Sequence, residues 1–204
     1  MKLYYLPGAC SLAAHIVLEW IGKPYETVAV SRDQPKSPEF LKISPLGAVP
    51  ALTDGDLSLT QNIAILEYLA ESAPQARLLG DGSIAARAET RRWLGMVNSD
   101  IHKTFSLVFG PQRFIDDEAG QKALAAGAAR QLRLLYGVVN ERLNGRPFLT
   151  GDHPGLADAY LFVTLRWAQA KQIDLSGYDQ LAGFSERMAA DPKVQAALKA
   201  EGLA

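Results

Sequence analysis

The chain has 204 residues, long enough for one or two domains with substantial cores. It is 48% hydrophobic and 21% charged, with a formal net charge of −1, so no strong field exists to recruit nucleic acid or an anionic membrane. A single cysteine excludes an intrachain disulfide and points to a reducing compartment, and no apolar run approaches the ~18 residues of a membrane span.

From the first residue, "KLYYL" (2–6) is a short β-type run closed by Pro7-Gly8. Lys2 and a four-residue apolar stretch are too little for a secretion signal before Cys10, so a cytoplasmic location is expected. "SLAAHIVLEWIG" (11–22) is helical, with Leu12, Ile16 and Glu19-Trp20 on a 3.6 period, Ser11 as N-cap and Gly22 as stop. "YETVAV" (25–30) reads as a strand, and "SPEFLKIS" (37–44) as a short helical turn ended by Pro45. "AVPALTDGDLSLT" (48–60) reads as two strands joined by Asp54-Gly55, followed by an amphipathic helix "QNIAILEYLAESA" (61–73) stopped by Pro74. The order β-α-β-(α)-β-β-α predicts a small α/β domain with a mixed four-stranded sheet over 1–75.

"APQARLLGDG" (73–82) contains the linker, placed at 76–82, and beyond it no strand pattern appears. Helical windows fall at roughly 83–109, 117–144, 155–171, 178–190 and 192–201, separated by Gly110-Pro111, Asn144-Gly145, His153-Pro154-Gly155 and Asp191-Pro192. An all-helical domain over 83–204 is expected.

Three stretches carry chemistry. Cys10 stands at a helix start, where free amides and the macrodipole favour a thiolate; as a lone cysteine it can equally be a small core residue. In "GAVPAL" (47–52), a cis Val49–Pro50 bond would turn the Val49 backbone outward to pair with a peptide-like ligand; an edge-strand proline is the plainer reading. In "LTQNIAI" (59–65), Gln61 and Asn62 stand at a strand-to-helix junction suited to an amino-acid group, or Thr60 is simply a cap. No His/Cys/carboxylate group has metal-site spacing, and no glycine-rich phosphate loop is present.

Taken together, "MKLYYLPGACSLAAHI", "PLGAVPAL", "LTQNIAILEYLA", "DIHKTFSLVF", "ADAYLFVTLRWA" and the closing "EGL" resemble, in order and over the whole length, the glutathione transferases, and the bacterial beta class in particular. The resemblance implies a thioredoxin-like domain joined to a helical domain, a homodimer, and glutathione as co-substrate with no other cofactor. It implies that the glutathione thiolate attacks a small hydrophobic electrophile, as in detoxification. By the same resemblance Cys10, next to Ala9, lies beside the glutathione sulfur, with Ser11, Tyr5 and His102 as groups that contact the thiolate. Val49, before Pro50, pairs with the cysteinyl unit, and Gln61 and Asn62 take the γ-glutamyl end. Ser99 and Asp100 share the wall of His102, and Lys36 meets the glycyl carboxylate.

The sequence departs from the family pattern where an acidic residue followed by Ser or Gly is replaced by Gln61-Asn62, where the segment 31–43 is short, at Gly95, and at Gly155-Leu156-Ala157-Asp158, where Ser or Thr usually begins the cap. Asp158 is read as structural, His15 and His153 as packing or surface, and Trp167 as core or as the border of an electrophile pocket. Two other activities fit the same residues: thiol-reductase or dehalogenase-type chemistry through a Cys10 mixed disulfide, and a non-catalytic ligand-binding dimer.

Overall fold

A computed structural model describes residues 1–31 and 37–204. Its first part holds β1 (Lys2–Tyr5), α1 (Ser11–Ile21), β2 (Glu26–Ala29), α2 (Pro38–Ile43), β3 (Ala51–Asp54), β4 (Leu57–Thr60) and α3 (Asn62–Glu71). The strands form one mixed sheet in the order β2-β1-β3-β4, with β1 parallel to β2 and the other pairs antiparallel. The remainder is helical: α4 (Ile84–Gly95), a π-helical stretch Met96–His102, α5 (Lys103–Phe109), α6 (Glu118–Leu143), α7 (Leu156–Ala170), α8 (Asp179–Ala190) and α9 (Pro192–Ala200).

Alternation along β1 sets the layers. Leu3 and Tyr5 are buried with the side chains of α1, while the Tyr4 ring turns the other way and meets Phe40 of α2. Pairing of Asp54 with Leu57 makes Gly55-Asp56 the loop, one residue later than Asp54-Gly55. Asp54 stays in the strand because its carboxylate accepts from the Tyr68 hydroxyl at 2.7 Å and faces the N-terminal ammonium at 3.5 Å; Gly55, at φ +56, takes the corner.

The first helix departs from its expected amphipathic pattern. Every residue from Ser11 to Leu18 is buried. α1 packs against β1 and α3 on one side and against α7 and α9 on the other, so it has almost no solvent face. Burying each leucine or isoleucine of this helix contributes roughly 1.5–3 kcal/mol. Its one buried cation former, His15, contacts a Glu201 carboxylate at 2.9 Å, and Glu201 follows α9. His15 is therefore a packing residue that joins the two ends of the chain.

The expected helix over 83–109 is interrupted by a π-helical segment, Met96–His102. The wider winding there changes which side chains share a face. The cap of α7 explains its own departure from pattern. The Asp158 carboxylate accepts from the amides of Leu149 and Gly155, each at 2.9 Å. A Cβ at Gly155 would lie 2.9 Å from the Leu78 carbonyl oxygen, so the close approach of the connecting segment requires glycine where a serine would otherwise cap. Among the described residues no helix is long and apolar enough to cross a membrane.

Candidate functional site

The loop from β1 into α1 is held tightly from within. Ser11, fully buried, accepts the Leu6 amide proton at 3.2 Å and donates to the Leu6 carbonyl at 3.3 Å. That closes the turn and delivers Cys10 to the N-cap of α1. The Ser11 hydroxyl is thereby spent on Leu6, and Tyr5 is buried with its ring 5.5 Å from His15; neither borders the cleft described next. Both were expected beside a thiolate, and neither lines the wall that Cys10 does.

Cys10 opens onto a cleft of about 500 Å³. One wall is the segment 44–50. Buried Ser44 donates to the Ala48 carbonyl at 2.8 Å and accepts the Ala48 amide proton at 3.1 Å, a staple that presents Val49, whose bond to Pro50 is cis. A second wall is the β4-to-α3 junction. Gln61, at φ +71, turns the chain so that α3 begins at the cleft with Asn62. The third wall comes from the helical part: Asn98 and His102 of the π-helical stretch and Tyr160 of α7.

Of the residues expected from sequence, Cys10, Val49, Pro50, Gln61, Asn62 and His102 converge here. Ala9 lies beside Cys10 but not on the cleft wall, while Ser99 and Asp100 are exposed and also lie off it. Lys36 lies outside the described residues. Sequence reasoning missed Asn98, Tyr160 and Ser44. Asn98 carried a signal, because its four-residue spacing from His102 puts both on one helix face. Tyr160 carried none, since it reaches the cleft through the packing of α7.

The electrostatics assign the protons. Burial pushes the Cys10 thiol up to about 11, against the pull of the Cys10 and Ser11 amides, which favour the charged form. Desolvation thus outweighs the pull of the helix terminus. At neutral pH its S–H is intact and donates to the Val49 carbonyl at 3.4 Å.

His102 is shifted below its ordinary value, first by burial and then by Lys103, so it is neutral at pH 7. Burial, and then the proximity of Cys10, raises the Tyr160 hydroxyl far above its usual range, so it keeps its proton. That single proton is donated to Asn98 Oδ1 at 3.2 Å. His102 Nδ1 also contacts the Tyr160 oxygen, so hydroxyl, amide and imidazole form one hydrogen-bonded cluster at this wall.

At the β4-to-α3 junction, Asn62 donates Nδ2–H to the Cys10 carbonyl at 3.0 Å, while its buried Oδ1 has no partner among the described residues. A buried acceptor left open costs roughly 1–3 kcal/mol, and the cleft is where a ligand could repay it. Among the described residues no group of three His, Cys, Asp or Glu could hold a metal ion.

Comparison with known proteins agrees with this architecture. Residues 1–71 match the glutathione S-transferase N-terminal domain, and residues 97–192 the glutathione S-transferase C-terminal domain. The chain is 50% identical over 203 residues to a glutathione S-transferase of Xanthomonas campestris, covering 100% of both. A sphingomonad glutathione S-transferase solved in complex with glutathione superposes with a TM-score of 0.87 at 37% identity, again covering 100% of both chains. The bacterial beta class glutathione S-transferase of Sphingomonas chungbukensis gives the same TM-score, identity and coverage.

Proposed function

This chain belongs to the glutathione S-transferase family, and from that premise we propose that it joins the thiolate of glutathione to a small apolar electrophile held between the cleft and the helical part. The carrying observation is that two helix starts meet at one cleft: Cys10 at the opening of α1 and Asn62 at the opening of α3.

In this reading the tripeptide lies across the cleft with its cysteinyl unit paired to the Val49 backbone. The γ-glutamyl end meets Gln61 and Asn62, where Oδ1 accepts from its ammonium in place of a carboxylate. The ligand sulfur sits at the α1 start. Moving a thiol from about 9 to near 7 takes ~2.7 kcal/mol of thiolate preference, while a helix terminus supplies ~0.3–2 kcal/mol. The remainder comes from His102, whose neutral imidazole takes the departing proton, and from the Cys10 thiol once its S–H turns from the Val49 carbonyl to the ligand sulfur. The thiolate then attacks the electrophile. Phe109, partly exposed and stacked 5.4 Å from Phe105, offers the apolar surface against which that partner lies.

Lys36 as the partner of the glycyl carboxylate, contacts of Ser99 and Asp100 with the ligand, a division at 76–82, a homodimer and a cytoplasmic location belong to the same proposal. The neutral thiol of Cys10 speaks against a cycle in which its own sulfur is the nucleophile. Calorimetric titration with glutathione, ultraviolet absorbance of the bound thiolate and turnover of a chloronitroaromatic electrophile test the reading together. Binding, a lowered thiol ionisation and turnover are expected. Absence of binding, or an ionisation equal to that in free solution, overturns it.

A further inference from the structure

The peptide unit two residues before Cys10 is held from outside its own domain. Gly8, at φ +70, donates its amide proton to Glu201 Oε2 at 2.9 Å. Its carbonyl accepts from the indole N–H of Trp167 at 2.7 Å. The Leu203 side chain lies 3.7 Å from where a Cβ would stand, so the loop is packed on that side too. Both backbone bonds of this glycine thus go to the C-terminal helical part, to α7 and to the turn after α9.

Trp167 has a second connection. Its ring meets His102 edge-on, with centroids 4.9 Å apart and planes at 65°. Phe105 and Phe109 pack against it at 5.4 and 5.5 Å in T-shaped contacts. One rigid, half-buried indole therefore touches the imidazole of the helical wall with its ring and the loop that carries Cys10 with its N–H. No side chain with rotatable segments intervenes.

We propose that Trp167 is a positioning residue that sets the distance between His102 and the opening turn of α1, and so aligns the proton acceptor with the sulfur that those amides hold. This role rests on the cleft being the glutathione site proposed above. Trp167 touches neither the sulfur nor the proton. It acts by fixing two groups that belong to different parts of the fold, where a misplacement of about 1 Å can cost on the order of 10²-fold in rate.

The test is a double-mutant cycle with Trp167→Phe, which keeps a ring and removes the N–H, and His102→Gln. Trp167→Phe alone should lower kcat about tenfold, the loss expected when acceptor and sulfur are misplaced by less than about 1 Å, while the Kd for glutathione moves less than about threefold. In the His102→Gln background the same change should cost less than about twofold, because the partner it aligns is gone. Additive losses, or a kcat that falls only in proportion to the folded fraction measured by circular dichroism, overturn the inference.

If Trp167→Phe does not fold, Phe105→Leu serves instead. It loosens the packing that holds the indole at a residue outside the ligand surface, and should give the same non-additivity at smaller amplitude. The unsubstituted protein separates the two levels. Failure to bind glutathione removes the site reading and this inference with it, whereas normal binding and turnover with additive losses removes this inference alone.

Discussion

The side-chain amide of Asn62 donates to the main-chain carbonyl of Cys10 at 3.0 Å, so the first residue of α3 holds the residue that caps α1. The same side chain keeps its Oδ1 buried and, among the described residues, without a partner. Asn62→Ala should therefore weaken glutathione binding about tenfold, from one lost ligand contact and a less fixed Cys10 peptide. Titrating glutathione and its deaminated analogue separates the two effects. The unsubstituted protein should prefer the ligand with the ammonium and Asn62→Ala should lose that preference; an equal loss for both ligands would assign Asn62 to the scaffold alone.

Cys10 should be dispensable for conjugation and slow to react on its own. With its thiol pushed up to about 11, only about one molecule in 10⁴ carries a thiolate at pH 7. Cys10→Ala and Cys10→Ser should keep the turnover of a chloronitroaromatic electrophile within about threefold, the worth of one weak donor. Alkylation by iodoacetamide should be slower than that of free cysteine at the same pH. Abolished turnover in both variants would make the residue's own sulfur the nucleophile.

His102 is neutral at pH 7 because burial and then Lys103 shift it down. For a base, a lowered value moves the acidic limb of kcat/KM below the ordinary 6.5 of histidine, and the active form persists above that limb. The limb should vanish in His102→Gln. Tyr160→Phe, which removes the hydroxyl that meets His102 Nδ1 and donates to Asn98, should lower kcat roughly fivefold to tenfold with the fold intact. An acidic limb unchanged in His102→Gln would assign it to another group.

The sheet, the helices and the site divide sharply in how legible they were. Strand and helix positions were written in local signals: Pro7-Gly8, Gly22, Asp117 and Asp191 punctuate the chain where elements begin or end. Cys10, Val49 and Asn62 were legible because each sits at an element junction, where backbone groups are free. Tyr160 and Trp167 were not, because each reaches its partner across 58 and 159 residues of sequence, to His102 and Gly8 respectively. The state of Cys10 stayed open in the sequence for a related reason. A helix start is visible in sequence, whereas the desolvation that outweighs it comes from packing.

Asp158 supplies the pH dependence of stability that can be signed. Its carboxyl is completely buried, accepts from Leu149 and Gly155, and is raised by burial to about 7. An unfolded aspartate titrates near 3.9, so between pH ~4 and ~7 the folded state binds more protons than the unfolded one, and stability falls as pH rises across that window. Asp158→Asn keeps one acceptor oxygen but turns an NH₂ toward one of the two amides, which leaves a buried donor unmet at about 1–3 kcal/mol. For a chain of this size that amounts to a loss of roughly 2–12 °C in Tm. The difference in Tm between the two proteins should be largest near pH 4 and should close or change sign toward pH 7, because the substituted side chain does not titrate while the original aspartate loses about 4 kcal/mol across the window. Thermal melts followed by circular dichroism across that range measure it, and a gap that stays constant or widens with pH would show that Asp158 is ionised in the fold throughout.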